Sequence, residues 1–529
     1  MSKTSTTGLH KRLASSGSAR AGRAAIGGAA AVAAALGISE LLAGVLTGAT
    51  SLVASVGQVA INLQPPGAKD LVIALFGTND KLALELFVVA VGLLVGAGLG
   101  VLARSRYLLA AVGFAGFGVI GFLASLGDPL ANPSIAAAGT AISVGAGLWV
   151  LGWFVGPSTV AVGPGGRPAQ MPDWSRRSFL IRAGGVGVGA IAAGVVGRTL
   201  LERQRVAPVG SGAAIPPASV VVPALAAGTD LSPSIPDLTP IVIPNDRFYR
   251  IDTALLTPTV DSATWRLRIH GLVDRETELT WAELLGLPMF EQYVTISCVS
   301  NEVGGRLVGN AKWTGVRLRD VLDLAGVQAS ATQLVGRSVD GWTAGMPTAW
   351  VMDPAREPMI AVKMNDEPLP PAHGYPARLI VPGLYGYVSA TKWLKELELT
   401  TLEAFDGYWI PLGWAKNAPI LTQARIDTPH GGSNLKAGQV PIAGIAWAPD
   451  RGIAKVEVAI DGVWQEARLS TPISDATWVQ WVMDWPATAG AHALQVRATD
   501  GSGEVQPEQP TPPAPDGARG WHSVKVQVG

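Results

Sequence analysis

Cys298 is the only cysteine in the 529-residue chain. It ends an apolar, strand-like run, Tyr293-Val-Thr-Ile-Ser-Cys298-Val-Ser-Asn301-Glu-Val-Gly-Gly305. A single cysteine excludes an intrachain disulfide, a CxxC redox pair, a cysteine-based iron–sulfur cluster and a CxxCH haem attachment. Three roles stay open. A buried structural thiol is the commonest use of a lone cysteine. A nucleophilic thiolate needs a cation or base beside it, and none is near in sequence. A metal ligand must find the rest of its shell elsewhere, because Cys₄ and Cys₂His₂ zinc sites are ruled out.

The elements that must position Cys298 read as a mixture of short strands and helices over residues 244–415. Trp265-Arg-Leu-Arg-Ile269 alternates as a strand does. Thr280-Trp-Ala-Glu283 reads as a helix start with a capping box. Val316–Ala325 has helical spacing, and Ala377–Val381 is an extended run. From about Thr422 the pattern becomes a series of short β-patterned runs: Pro441–Trp447, Ile453–Ile460, Trp464–Leu469, Thr477–Met483, His492–Ala498 and Val524–Val528. Turn signals such as Asp450-Arg451-Gly452 and Asp461-Gly462 separate them, which predicts an all-β, immunoglobulin-like sandwich without a disulfide pin.

Four stretches carry a family resemblance. They are Asn245-Asp-Arg-Phe248-Tyr249; Cys298-Val-Ser-Asn301; Trp313-Thr-Gly315-Val-Arg-Leu318; and a long run from Met364-Asn365 through His373-Gly374, Pro376, Arg378 and Pro382 to Tyr385-Gly386 and Lys392-Trp393. With these motifs in order, residues 241–415 resemble the sulfite oxidase/molybdopterin-binding superfamily, and the β-rich C-terminus resembles that family's dimerisation domain. The resemblance implies an α+β molybdopterin domain in which one cysteine thiolate, here Cys298, ligates molybdenum, a soft-ligand role. It implies pterin contacts at Asn245, Phe248, Tyr249, Asn301 and Ser338. His373 and Arg378 would hold the pterin and its phosphate. Ala390, Thr391 and Lys392 would close over that phosphate with backbone N–H groups and an ammonium.

Departures from the family pattern bear on the substrate. Sulfite oxidases place arginines where this chain has Pro244 and Val303, and Trp414 stands nearest the position of their active-site tyrosine. A sulfite dianion would be poorly stabilised without those cations. The resemblance with these departures implies oxygen-atom transfer on a small S-oxide or N-oxide, with Trp409 and Trp414 walling the pocket and Trp414 beside Cys298 as a catalytic candidate. The alternatives are sulfite dehydrogenase-type oxidation and a catalytically degenerate binding module on a membrane anchor. One extra residue between Gly386 and Lys392, compared with the family loop, bears on the phosphate contacts.

The first 200 residues have another character. Charged residues are only 15% of the chain, against roughly 25% in ordinary soluble proteins, and mean hydropathy is +0.31. The net charge of zero is a cancellation: residues 1–200 hold 14 Lys and Arg against 6 Asp and Glu, and the rest reverses the excess. The overall balance indicates no nucleic-acid partner. Five apolar runs are long enough to cross about 30 Å of hydrocarbon: Ala24–Val45, Leu82–Leu102, Leu108–Leu126, Ile135–Val155 and Phe179–Val196. Ala49–Phe76, broken by Gln64-Pro65-Pro66-Gly67, reads as interfacial or re-entrant. Lys and Arg cluster in the N-terminal tail, at Arg104 and Arg106, and at Arg167, Arg176 and Arg177, with only Lys69 and Lys81 in the other loops. The positive-inside rule then puts the N-terminus in the cytoplasm and everything after residue 200 outside it. Ser175-Arg176-Arg177-Ser178-Phe179-Leu180 also resembles a twin-arginine export signal, here internal. Glu40, Glu85 and Arg182 are candidate functional positions within the membrane runs; the favoured alternative is that they lie near helix ends and reach for the interface.

The expected organisation is a membrane domain over 1–200, a Pro/Ala-rich linker over 201–243, a molybdopterin domain over 244–417 and a β-sandwich over 418–529. No histidine falls in a membrane run, so no haem is expected there. Electrons would go to an external cytochrome or quinone-linked partner, and the sandwich could form a homodimer.

Overall fold

A computed structural model describes residues 6–46, 48–64, 75–76, 80–128, 131–155, 174–206 and 214–529. Lys3, Pro65–Gly67, Lys69 and Arg167 lie outside the described residues, as do residues 207–213 of the Pro/Ala-rich stretch. The chain divides into two compact units, one of residues 1–206 with 253–257, the other of 207–252 with 258–529.

The first unit is helical: Thr6–Val45, Leu52–Leu63, Asp80–Ala103, Tyr107–Ser125, Pro133–Val155 and Arg176–Val206. Five of these helices are long and apolar enough to cross a membrane. Leu52–Leu63, N-capped by Ser51, has 12 residues and is too short to do so. Small residues let the helices close on one another. A Cβ on Gly28 would lie 2.0 Å from the Gly96 carbonyl oxygen, and one on Gly44 would lie 2.2 Å from that of Gly197. The last helix runs ten residues past the expected Val196, supported near its end by the Arg198–Glu202 pair at i,i+4. Each of the three charges has a partner within the unit. Glu40 is buried and accepts a hydrogen bond from Ser51, Glu85 pairs with Arg198 at 3.0 Å, and Arg182 lies 4.4 Å from the Trp174 ring centre. Arg182 is exposed near the start of its helix; Glu40 is the buried one, where an unpaired charge would be costly. Phe179 is buried too, packed edge-on against Phe154 at 5.5 Å.

The second unit contains four sheets. The first orders its strands as Thr277–Thr280, Arg266–Gly271, Leu394–Thr400, Gln333–Ser338 and Thr343–Pro347. The second joins Met289–Ser297, Val308–Arg317, Met359–Met364 and Glu367–Pro368, with Arg378–Ile380 also on Met359–Met364. The capping box at Thr280 and Glu283 forms as its spacing predicts. The helix expected over Val316–Ala325 is shorter, Leu318–Asp323. Val316 and Arg317 instead finish a strand, where Val316 pairs with Met289 on one side and Ile360 on the other. Burial between two strands overrides the local helical spacing.

Two further sheets follow, one over Gln423–Thr428, Gly438–Trp447, Val479–Ala487 and Arg468–Leu469, the other over Asn434–Leu435, His522–Val528, Gly490–Asp500, Ile453–Ile460 and Val463–Glu466. Their facing residues, Ile442, Trp481, Val456, Leu494 and Val526 among them, form one core. The run Trp464–Leu469, read as one strand, is two: Val463–Glu466 pairs in one sheet and Arg468–Leu469 in the other. These sheets also share a core with the preceding ones, because Ile445, Trp447 and Trp478 pack with Ile241, Leu384 and Trp393. The stretch 214–243 has no helix or extended strand and is laid along this unit. Ser219 N–H donates to the Met289 carbonyl at 2.8 Å, and Leu231, Ile235 and Leu238 pack with Ala443 and Val482.

Candidate active site

Cys298 sits half-buried one residue past the end of Met289–Ser297, where the chain leaves the sheet. The loop it starts is closed at the neck. Cys298 N–H donates to the Leu307 carbonyl at 2.9 Å, and Leu307 N–H donates to Asn301 Oδ1 at 2.8 Å. Asn301 N–H returns to the Cys298 carbonyl at 3.1 Å, and Cys298 Sγ lies 2.9 Å from Ser300 Oγ. Asn301 is therefore a loop lock through its oxygen, and its buried Nδ2 makes no hydrogen bond.

Two other segments converge on this loop. Tyr249 lies within electrostatic reach of both Cys298 and Arg378: burial raises its phenol pKa most, the Cys298 thiolate adds to the rise, and Arg378 opposes it. Arg378 is 4% exposed at the start of Arg378–Ile380. Its Nη1 donates to the His373 carbonyl at 3.0 Å, its guanidinium stands 5.1 Å from the Trp313 ring centre, and its buried Nε has no partner. Burial pushes its pKa down to about 10. Phe248 fills the wall beneath, edge-on to His373 at 5.7 Å and to Trp313 at 6.0 Å.

His373 Nε2 donates to the Asn245 carbonyl at 3.0 Å, which sets its tautomer. Asn245 spends its own amide on the Met364 carbonyl and on Glu367, and accepts from Asn365 Nδ2 at 2.9 Å. The pair therefore braces the loop wall. Burial, then Arg378, pushes the His373 pKa down to about 4. The unfolded chain, with an ordinary histidine near 6.5, takes up the proton first as pH falls. The contribution of His373 to the stability of the cofactor-free protein is thus expected to fall between pH about 6.5 and about 4, by up to ~3 kcal/mol, and to be constant above that window. His373→Gln should remove this acid sensitivity in thermal melts; an unchanged profile would count against a buried neutral imidazole.

Lys392 lies at the far end. Its ammonium donates to Asp252 Oδ2 at 2.7 Å and to the Ala372 carbonyl at 3.1 Å, 4.4 Å from the Trp393 ring centre. Burial pushes its pKa down to about 8 against the pull of Asp252. Ser338 is buried nearby and accepts from Asp340 N–H at 3.4 Å. The two residues before Lys392 have internal contacts of their own. The Ala390 amide already donates to the Gly386 carbonyl at 2.9 Å, and the Thr391 hydroxyl points to the Gly336 carbonyl at 3.4 Å. Lys392, like them, has internal partners, Asp252 and the Ala372 carbonyl. Trp414 packs on Tyr387 with ring centres 5.9 Å apart, and Tyr387 donates to the Ala415 carbonyl. Tyr387, Asp252 and Asn365 were not found from the sequence; only Asn365, at a positive φ of 51° before Asp366 at 68°, leaves a local Asn-Asp turn signal.

Residues 254–409 match the oxidoreductase molybdopterin binding domain family. Mitochondrial sulfite oxidase from Homo sapiens is 30% identical over 340 residues, covering 54% of this chain and 62% of that protein. The domain over residues 254–409 is of the sulfite oxidase/molybdopterin oxidoreductase superfamily. NADH nitrate reductase 1 from Oryza sativa subsp. japonica is 29% identical over 318 residues, covering 48% of this chain and 34% of its own. Among solved structures, the sulfane dehydrogenase SoxCD from Paracoccus pantotrophus aligns with a TM-score of 0.46 and 24% identity, over 51% of this chain and 76% of that one. The chain thus spans less than two thirds of the length of the curated sulfite oxidase and nitrate reductase it matches.

The residues present fit the molybdopterin cofactor of this superfamily. Two buried donors, Asn301 Nδ2 and Arg378 Nε, stand unpartnered around Cys298 and Tyr249. Buried polar groups are ordinarily hydrogen-bonded, so they call for an acceptor-rich group. Among the described residues no three of His, Cys, Asp and Glu come together to hold a metal. A metal at Cys298 would take its other ligands from the cofactor.

Proposed function

We propose that the protein is a membrane-anchored molybdopterin-dependent oxidoreductase that transfers an oxygen atom to or from a small neutral S-oxide or N-oxide. The single observation that carries this is the pair of unpartnered buried donors around a half-buried lone cysteine. Bound there, the molybdenum cofactor supplies two-electron and oxygen-atom chemistry. Cys298 holds the metal, Asn301 and Arg378 hold the pterin, and Lys392 meets the phosphate end, the binding energy being charge-assisted hydrogen bonds. Tyr249 stays protonated and available as a donor beside Cys298, since burial and the thiolate both disfavour its anion. Trp414 and Tyr387 form an aromatic wall. Pro244 and Val303 offer no charge to a dianion. The sulfite dehydrogenase reading is favoured by the 30% identity to a sulfite oxidase. Molybdenum and pterin assays on purified protein, then a panel of sulfite, S-oxides and N-oxides with artificial electron donors and acceptors, test both readings. Stoichiometric cofactor with S-oxide or N-oxide reduction is the expected result. Fast sulfite oxidation would overturn the substrate, and protein matured in a cofactor-making host without bound pterin would overturn the enzyme.

The anchor is supported by the five apolar helices, whose outward side chains include Leu86, Leu94, Leu108, Val112, Val188 and Ile191. The arrangement of Lys and Arg supports a cytoplasmic N-terminus with the second unit outside. Its electrons would pass to an external cytochrome or quinone-linked partner, and its immunoglobulin-like C-terminal sheets could pair in a homodimer. Arg176 and Arg177 are exposed at the start of the last helix. Their double replacement by Lys is expected to leave the second unit in the cytoplasm, read by protease access to spheroplasts; unchanged access would sink the twin-arginine reading.

A further inference from the structure

We propose that Arg425, on the strand Gln423–Thr428 of the C-terminal sheets, is a positioning residue for the Cys298 loop and acts on it through Gly305 and Asn301; the proposal rests on reading that loop as the cofactor site. Arg425 is 7% exposed. Its Nε donates to Asp427 Oδ1 at 2.6 Å, its Nη2 to Thr239 Oγ1 at 2.9 Å and its Nη1 to the Gly305 carbonyl at 2.6 Å. Asp427 Oδ2 in turn accepts from Thr239 N–H at 3.1 Å. A guanidinium is a rigid planar fork, so fixing two of its nitrogens aims the third.

Gly305 touches the lock of the loop. A Cβ there would lie 2.5 Å from Asn301 Oδ1, the oxygen that holds Leu307 and, through the Leu307 carbonyl, the Cys298 amide. A second hold falls on the preceding residue. Gly304 has φ +75°, and a Cβ on it would lie 2.2 Å from His522 Cδ2. His522 is itself fixed by the Ile426 amide, which donates to its Nδ1 at 3.0 Å. Two residues of the C-terminal sheets thus grip two consecutive residues of the loop. The unpartnered Asn301 Nδ2 is presented by a frame whose outer support lies beyond the matched family domain. Other contacts hold the two sets of sheets together away from this loop, such as Trp478 Nε1 to the Ile241 carbonyl at 2.9 Å. They provide the control for plain docking.

The test uses the full chain from a cofactor-deficient host, in which Cys298 is the sole thiol. Its alkylation by iodoacetamide is timed at about pH 8, where thiolate chemistry is measurable, alongside the melting temperature. Arg425→Met and Gly305→Ala are each expected to change the alkylation rate by about fivefold or more, whereas Trp478→Phe stays within about twofold even where it lowers the melting temperature. Arg425→Lys, which can reach Gly305 but lacks the fork, should fall between. If Arg425→Met does not fold, Gly305→Ala and Arg425→Lys carry the test. Arg425 variants that melt earlier yet alkylate within twofold of the parent would overturn the proposal, as would Trp478→Phe shifting the rate equally. Pterin and molybdenum content of the parent protein from a cofactor-making host is measured separately. Its absence would sink the cofactor reading and leave the alkylation result standing.

Discussion

Cys298→Ser is expected to lower molybdenum-dependent turnover by about a thousandfold or more, the scale of removing one member of a catalytic unit, with little change in melting temperature. The substitution is nearly isosteric. Its amide keeps the Leu307 carbonyl, and a hydroxyl can stand beside Ser300 as the thiol does. What changes is the ligand atom. A thiolate is soft and forms near neutral pH, whereas a serine hydroxyl is hard and stays protonated. Asn301, Arg378 and Lys392 are untouched, so pterin should be retained while activity is lost. Assays of metal, pterin, melting and turnover on one preparation separate the three roles open to a lone cysteine. A structural thiol would lose stability along with activity. A variant that kept full metal-dependent turnover would remove Cys298 from the metal altogether.

What could be read in the sequence is what short-range patterning encodes. The capping box at Thr280 and Glu283 needs three residues of spacing, and Ile453–Ile460 forms with its expected bounds because turn residues close both ends. The five long apolar helices follow from run length alone. The Cys298 to Asn301 spacing is likewise a local turn, whose carbonyl and amide meet at 3.1 Å. The rest of the site is made by contacts distant in sequence. Lys392 meets Asp252 across 140 positions, and Arg425 meets Gly305 across 120. No periodicity marks such pairs. Val316 and Arg317 were misread for a related reason: helical spacing and a strand buried on both sides call for similar residues, and only the neighbours Met289 and Ile360 decide between them. The boundary expected at 417/418 is spanned by packing of the same long-range kind. The core runs across it from Ile420 to Trp393, and no composition shift reports a shared core.

Arg378→Met is expected to stabilise the cofactor-free protein and weaken cofactor binding, two effects of opposite sign from one substitution. In the cofactor-free protein Arg378 is a buried cation whose direct polar contact is one carbonyl, that of His373, and whose Nε is unpartnered. Burial already pushes its pKa down to about 10, which says that the charged form is disfavoured there. Methionine has a comparable reach and would pack on Trp313, which now faces the guanidinium at 5.1 Å. Replacing uncompensated buried charge by apolar volume gains on the order of 1–4 kcal/mol; the lost cation–π contact and the freed His373 carbonyl offset part of it, leaving about 1 kcal/mol. With the cofactor present the sign reverses. A hydrogen bond to a charged group is worth roughly 1.5–3 kcal/mol, so affinity should fall by about 10- to 100-fold. Arg378→Lys keeps the charge without the fork, so it should lose affinity without the gain in stability. Melting of protein from a cofactor-deficient host, and pterin retained through purification from a competent one, give the two signs independently. An Arg378→Met protein that melts earlier and retains its pterin would mean that the buried guanidinium serves the fold. The opposite pair of signs would mean that the fold carries a destabilising charge for the sake of the group it binds.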